Sequence, residues 1–402
     1  MLKRHRLQLA RLGAIAVIIW GLHGTPARRR AMSAATLAGA REFFPGAARL
    51  LAPPRADGWS AVLDAQGRQL GRIACTSPAA DDILGYGGPV PALVVVGLDG
   101  RVAGVRLLAN RETPDNLRVI DEYGFLESWN GQRWEQAAAL EVDAVSGSTL
   151  TCQAVAAGVR RRLCLAAGLG VPDRPAMVLS WRDAVSALVL AAALLMCFWP
   201  RLARVPGMRL GLQLVTIGWL GFWVSSFVCQ ALLVGWAANG VAWRTAPTPV
   251  LMAVLAVLLP ILAGRQFYCT HVCPHGCAQE LVARVSRWKR PLPERLGKVL
   301  APVPGLLLAV IVVLVLVTEA VSLEPFEPFS AYLRSTMGVP LVLALAGLAG
   351  SLFVPRAWCR YGCATGALLR FLRRPDPEDG PGRGDILLGV LAALALAARL
   401  LA

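Results

Sequence analysis

A helix that crosses a bilayer needs about 20 mostly apolar residues, and six runs of roughly that kind are spaced along this chain. They are Asp183–Trp199, Leu210–Trp236, Thr248–Ala263, Val299–Val321, Met337–Val354 and Ile386–Ala402. In hydrocarbon every backbone N–H and C=O must be paired within the segment, so such runs predict helices. The fold class they imply is a multi-pass α-helical membrane bundle over residues 183–402. A shorter run, Leu9–Leu22, follows Lys3-Arg4-His5-Arg6 and precedes Arg28-Arg29-Arg30. Residues 1–30 therefore read as a membrane anchor or signal segment, and the arginines after the run favour a retained anchor.

Between Met32 and about Asp173 the character changes. Charged residues and Gly/Pro turns return, and no apolar run is long enough to span. Residues 31–175 thus read as a water-exposed α+β domain inserted between membrane segments. Within it, residues 92–109 read as two strands joined by Asp99-Gly100, a dipeptide suited to a tight hairpin. A helix is expected from near Ser146 to about Ala167.

The net charge of +16 would suggest nucleic acid, but its placement argues otherwise. The lysines are Lys3, Lys289 and Lys298 alone; the rest of the positive charge is arginine, clustered beside the apolar runs. That is how membrane topology is written. The loops after the first, third and fifth runs carry sixteen Lys and Arg, against Arg244 and Arg334 in the other two. The rich loops are expected in the cytoplasm, which puts the inserted domain outside it. Membrane lipid is then the surrounding partner, and nucleic acid is not one.

Ten cysteines are present. Cys197 and Cys229 lie in apolar runs and read as small hydrophobes; Cys75, Cys152 and Cys164 fall in the inserted domain with no complete disulfide framework. The other five fall in two cytoplasmic loops, 265–280 and 356–369. Cys269-x-x-x-Cys273-x-x-Gly276 and Cys359-x-x-x-Cys363-x-x-Gly366 form an internal repeat of span, cysteine loop, span. Reduced thiols are the rule in that compartment. Cys269, Cys273, Cys359 and Cys363 on one side of a bundle suit an iron–sulfur cluster or a tetrahedral zinc. Free thiols capping helix ends are the bland alternative, and Cys277 is a spare or substitute ligand. The histidines are His5, His23, His271 and His275, too few within the runs for haems held by paired histidines across the bundle.

Near the end of the inserted domain, Ser146-Gly147-Ser148-Thr149 opens the expected helix. A small hydroxyl-rich turn there leaves N–H groups free at the positive end of the helix dipole, a seat for phosphate. An ordinary N-cap by Ser146 or Ser148 explains the same residues. The stretch Asp143-Ala-Val-Ser-Gly-Ser-Thr149 resembles the flavinylation motif Asp-x-x-Ser-Gly-Ala-Thr of FMN-binding domains. Those domains occur in the flavin subunits of Rnf and sodium-pumping NADH:quinone oxidoreductase complexes and in NosR/NirI-like membrane proteins. The resemblance implies FMN joined by a phosphoester to Thr149 by a flavin transferase, with Asp143, Ser146 and Gly147 as motif residues and Ser148 in place of the usual Ala. Upstream, residues 85–114 are also similar to these domains: a Gly-Tyr-x-Gly entry, a hairpin, and Asn110-Arg-Glu112-Thr113-Pro114 for a His-x-Glu-Thr-Pro element. Glu112 and Thr113 join the flavin site on that likeness. The Cys269–Pro274 motif resembles the CxxxCP iron–sulfur motif of the same proteins, which implies a 4Fe-4S cluster. The second copy has Ala364 where Pro is expected, and an apolar run follows it in place of the family's ferredoxin domain.

These readings imply an electron-transfer protein of the bacterial inner membrane, with its FMN domain in the periplasm. Electrons would pass between a cytoplasmic-side iron–sulfur centre or quinone and the covalent FMN, with a periplasmic electron acceptor beyond. A bilayer core of about 30 Å is long for a single hop, so a quinone, a partner subunit or a cluster set deeper in the bundle is required. A NosR/NirI-like redox regulator or maturation factor supporting nitrous oxide reductase is the alternative function, and a structural zinc protein is another.

Overall fold

The computed structural model describes residues 2–22, 37–51, 58–110, 112, 114–145, 148–169, 179–289, 292–317, 323, 327–332, 338–375 and 380–401. The chain divides into two compact units. One contains Gly24–Met177 with Ala238–Thr245, and the other Met1–His23, Val178–Ala237 and Ala246–Leu401.

The first unit is built on a five-stranded antiparallel sheet with its strands in chain order: β1 (Arg49–Leu50), β2 (Ser60–Leu63), β3 (Gln69–Cys75), β4 (Ala92–Gly97) and β5 (Val102–Leu107). The expected hairpin is β4–β5, with Val94 opposite Val105. Gly100 supplies the positive φ of its turn, +76°. The sequence of β4 is a continuous apolar run because both faces of the strand are covered. On one face Ala92, Val94 and Val96 meet Cys152, Val155, Val159 and Leu163 of the Thr149–Ala166 helix. On the other, Leu93 and Val95 join Ile73 and Val62 under Ala40 of a helix over residues 37–43. Each such Val or Leu contributes roughly 1.5–3 kcal/mol by leaving water, so the Thr149–Ala166 helix is firmly seated.

The second unit is helical. Among the described residues, two of its helices, Trp181–Phe198 and Glu294–Val317, are long and apolar enough to cross a membrane, and Pro247–Ala263 and Val339–Ser351 are shorter apolar helices. The expected run Leu210–Trp236 is not one helix. Met208–Val215 continues as a π-helical stretch to Trp223, the backbone unwinds over 224–229, and Gln230–Asn239 resumes the helix. Apolar composition alone could not show this break, because its backbone partners are distant. Tyr268 Oη accepts the Val228 N–H at 2.9 Å, and a Glu327 carboxylate oxygen accepts the Gln230 N–H at 2.7 Å.

The Leu2–Leu22 helix lies parallel to Arg383–Leu401. Arg11 holds Asp385 through two bonds of 2.6 and 3.0 Å, and ten residues further along both helices a side chain at Gly21 would collide with Ala395. Ends with many arginines meet one another: Arg209 pairs with Glu280 at 2.8 Å, and the Ser286 hydroxyl bonds the Leu352 carbonyl at 2.5 Å. At the opposite ends, the Thr248 hydroxyl bonds Asp183 at 2.6 Å.

Candidate functional site

In the sheet unit, the helix expected from Ser146 begins at Thr149. Ser146, Gly147 and Thr113 lie outside the described residues. The two adjacent hydroxyls have different surroundings. Ser148 is 3% exposed, and its Oγ donates to the Asn116 carbonyl at 3.0 Å. Thr149 is half-buried, and among the described residues its hydroxyl has a single long bond of 3.4 Å, to the Val145 carbonyl. Thr149 therefore carries the more available hydroxyl, at a helix N-terminus that favours a phosphate.

A cleft of about 300 Å³ is lined by Tyr123, Phe125, Ser128, Leu140, Glu141, Val142, Asp143 and Val145, the last of which offers its carbonyl to Thr149. Asp143 is on its wall, and Tyr123 and Phe125 bring aromatic faces to it. An aromatic, partly polar cleft near a half-buried hydroxyl at a helix N-terminus fits a flavin nucleotide.

Glu112 is buried, and both of its oxygens are bound by protein groups. Oε1 accepts the Gly87 N–H at 2.8 Å, and Oε2 accepts the Thr151 hydroxyl at 2.6 Å. It ties the Gly85–Gly88 turn to the first turn of the Thr149–Ala166 helix. The glycine of the Gly-Tyr-x-Gly entry makes room for it, since a Cβ at Gly85 would lie 2.6 Å from Glu112 Oε1. Burial pushes the Glu112 carboxyl up to about 7, against the pull of the Thr151 and Gly87 bonds. What this geometry assigns to Glu112 is the placing of the helix start.

In the helical unit the two cysteine motifs share one capping pattern, although Cys269 lies on a π-helical stretch and Cys359 on an α-helix. Cys273 caps the Pro274–Val285 helix and Cys363 caps Ala364–Phe371; each sulfur accepts an N–H three residues on, from Gly276 at 3.4 Å and Gly366 at 3.1 Å. The N–H of each capping cysteine reaches five residues back, Cys273 to Tyr268 and Cys363 to Trp358, at 2.8 and 2.9 Å. The repeated glycine has a steric reason. A Cβ at Gly276 would lie 2.9 Å from the Cys269 carbonyl, and one at Gly366 would lie 3.4 Å from the Cys363 sulfur. Helix N-termini favour thiolates, so both capping sulfurs suit metal ligation.

The two copies brace each other. Gln266 of the first donates to the Leu369 carbonyl of the second at 3.0 Å. Gln279 accepts the Trp358 N–H at 2.9 Å and donates to the Cys359 sulfur at 3.3 Å. Arg356, held at φ +58°, donates to the Cys269 carbonyl. Burial raises the Cys269, Cys273 and Cys363 thiols, and nearby Cys359 raises each further. Cys277 aligns with Ala367 of the second copy, outside the repeated set, and its thiol faces the His271 carbonyl at 3.8 Å.

Among the described residues, no three His, Cys, Asp or Glu side chains form a group that could hold a single metal ion. A tetrahedral zinc takes four thiolates at about 2.3 Å, whereas a four-iron cluster shares four thiolates among separate irons. His275 Nε2, Arg356 Nε and Trp358 Nε1 are buried in these loops with no hydrogen-bond partner among the described residues, as expected of polar atoms around an additional polar group. Gln279, Arg356, Gln230, Glu327 and Tyr332 were not signalled by the cysteine spacing. Gln230, one of two glutamines in the apolar run 210–236, was the available clue.

Residues 85–163 match the family model of the FMN-binding domain, and residues 245–293 and 336–380 match that of the 4Fe-4S binding domain. The chain thus combines an FMN-binding domain with a 4Fe-4S binding domain. It is homologous to Protein NirI of Paracoccus denitrificans, 30% identical over 238 residues covering 52% of this chain and 35% of that one. It is likewise homologous to Regulatory protein NosR of Pseudomonas aeruginosa, 29% identical over 46% of this chain and 28% of that protein. A component of the ion-translocating oxidoreductase complex of Stutzerimonas stutzeri is 27% identical over 24% of this chain and 46% of its own. The matches to NirI and NosR thus span about a third of those relatives' length. No solved structure matches.

Proposed function

We propose that this chain is a multi-pass protein of the bacterial inner membrane that passes electrons between an iron–sulfur centre, or quinone, and FMN joined covalently to Thr149 in a periplasmic domain. Its domains are then an anchor over residues 1–30, the FMN domain over 31–175 and the bundle over 183–402. The observation that carries the reading is the coexistence of two sites on one chain: an available threonine at a helix start beside an aromatic cleft, and two equivalent cysteine-capped helices cross-braced to each other.

Thr149 would hold the flavin phosphate and the 123–145 cleft its ring; Cys269, Cys273, Cys359 and Cys363 would hold the cluster. FMN accepts one or two electrons, which lets it couple a one-electron centre to a two-electron partner. Ser148 anchors the helix start through Asn116, and Glu112 fixes the turn opposite. Sidedness is supported by the arginine count and by the parallel Leu2–Leu22 and Arg383–Leu401 helices, which the count also sends in one direction. Flavin transferase, quinone and a periplasmic acceptor are the partners this reading requires.

Intact-mass measurement of the chain co-expressed with a flavin transferase tests it. Wild type should gain one FMN less water, Thr149→Ala should not, and Ser148→Ala should. Retained FMN on the Thr149 variant would refute the acceptor. The name of the Pseudomonas relative, a regulatory protein, favours a second reading, a redox regulator. Net electron flux through purified protein separates the two.

A further inference from the structure

We propose that residues 327–332 act as a strap that fixes the spacing of the two cysteine copies, with Glu327 and Tyr332 as its positioning residues. This rests on the reading that the four cysteines hold one cluster.

The strap lies in the connection between the Val303–Val317 and Val339–Ser351 helices, well separated in sequence from both cysteine motifs, yet it reaches both. Tyr332 Oη lies 3.1 Å from Nδ1 of His275, two residues after the capping Cys273. Glu327 Oε1 accepts the hydroxyl of Thr365 at 2.6 Å, two residues after the capping Cys363. The strap therefore grips the same repeat position in each copy. Gln230 completes the second grip: its N–H donates to Glu327 Oε2 at 2.7 Å and its side chain to Thr365 Oγ1 at 3.1 Å.

The grips are buried. Glu327 and Tyr332 are each 6% exposed, His275 and Thr365 each 1%. The Tyr332 ring packs against Phe222 and Phe227 at 5.1 and 5.7 Å, and Phe227 stacks on Phe329 of the strap at 5.6 Å. Gly221 admits the arrangement, because a Cβ there would sit 3.1 Å from Pro274 and 3.3 Å from Tyr332. Among the described residues Glu327 is bonded only to the uncharged Thr365 and Gln230, a costly way to bury a carboxyl unless its position matters. His275 and Thr365 lie in the first helical turn after a capping cysteine. A shift of either turn moves a cluster ligand, and groups that orient ligands typically govern metal retention by roughly 10–100-fold.

The test uses the full chain purified without oxygen, as wild type, Tyr332→Phe, Thr365→Val, Glu327→Ala and Glu327→Gln. The first two remove one hydroxyl each without changing packing, so folding is preserved even where Glu327→Ala fails. Two readouts are taken: the rate of iron loss to a chelator, and hydrogen exchange of residues 274–278 and 364–368 in metal-free chain. Tyr332→Phe and Thr365→Val should each lose iron about tenfold faster, with the EPR signal of the reduced centre altered and flavin content unchanged. Exchange should quicken in the first copy for Tyr332→Phe and in the second for Thr365→Val. Glu327→Gln should recover most of what Glu327→Ala loses. Wild-type iron loss and wild-type exchange in both hydroxyl variants would overturn the strap while leaving the cluster standing. Wild-type chain without iron and sulfide would instead overturn the cluster and its spacing together.

Discussion

Replacing Glu112 by glutamine should flatten the pH dependence of the FMN domain's stability. The carboxyl is raised by burial to about 7 in the folded chain, from 4.5 in the open one. Between those values the unfolded chain has released its proton and the folded chain has kept it. Unfolding free energy therefore falls as pH rises through that window, at about 1.4 kcal/mol per unit. Across it the loss is about 3 kcal/mol, complete near pH 7 and absent below pH 4.5. Glutamine is uncharged and the same size, so Glu112→Gln should match wild type within about 1 kcal/mol at pH 5 and exceed it by up to about 3 kcal/mol at pH 8. Glu112→Ala is the contrast. It strands the Gly87 N–H and the Thr151 hydroxyl, each costing about 1–3 kcal/mol, and should destabilise at every pH. Hydrogen exchange of the Thr149–Ala166 helix in the full chain, corrected for intrinsic rates, measures the opening free energy. Equal pH slopes for wild type and Glu112→Gln would refute the reasoning.

Sidedness is checked with a reporter active only outside the cytoplasm: a fusion after Leu169 should be active, and fusions after Trp288 or Arg374 silent. The cysteine assignment predicts that Cys273→Ser bleaches the broad visible absorption while flavin stays bound, whereas Cys277→Ala, outside the repeated set, keeps wild-type iron and sulfide. Stoichiometric zinc without iron or sulfide would remove the iron assignment.

The sheet domain was legible where one strand or helix is specified locally. The continuous apolar run of β4, the Asp99-Gly100 turn and the helix after the Ser-Gly-Ser-Thr stretch each follow from nearest neighbours in sequence. What was not legible depends on partners far away. The break after Trp223 exists because Tyr268 and Glu327 satisfy the freed N–H groups, 40 and 97 residues from their partners. The availability of Thr149 over Ser148 is likewise decided by Asn116, 32 residues upstream of that serine. The C-x-x-x-C-x-x-G repeat was readable, but the reason for its glycines was not, since spacing alone does not show the fold-back that would put the Cys269 carbonyl 2.9 Å from a Cβ at Gly276.

Ala364, the departure from the expected proline, bears on how far electrons travel. It is 1% exposed and belongs to one apolar cluster with Ala309 and Ile311 of the Val303–Val317 helix. Ile311 stands eight residues into that helix, or about 12 Å from its start at 1.5 Å per residue. A proline's ring would have to fit in that packing, whereas alanine's single methyl lets the second cysteine loop settle against the middle of the helix. Under the proposed membrane reading, a centre beside Cys363 would lie inward of the start of that helix, within a hydrocarbon core of roughly 30 Å. The same packing lets a strap from the far connection reach both loops. Under the proposed function, one arrangement would thus shorten the remaining path toward the outer side and supply the groups that hold the centre in place.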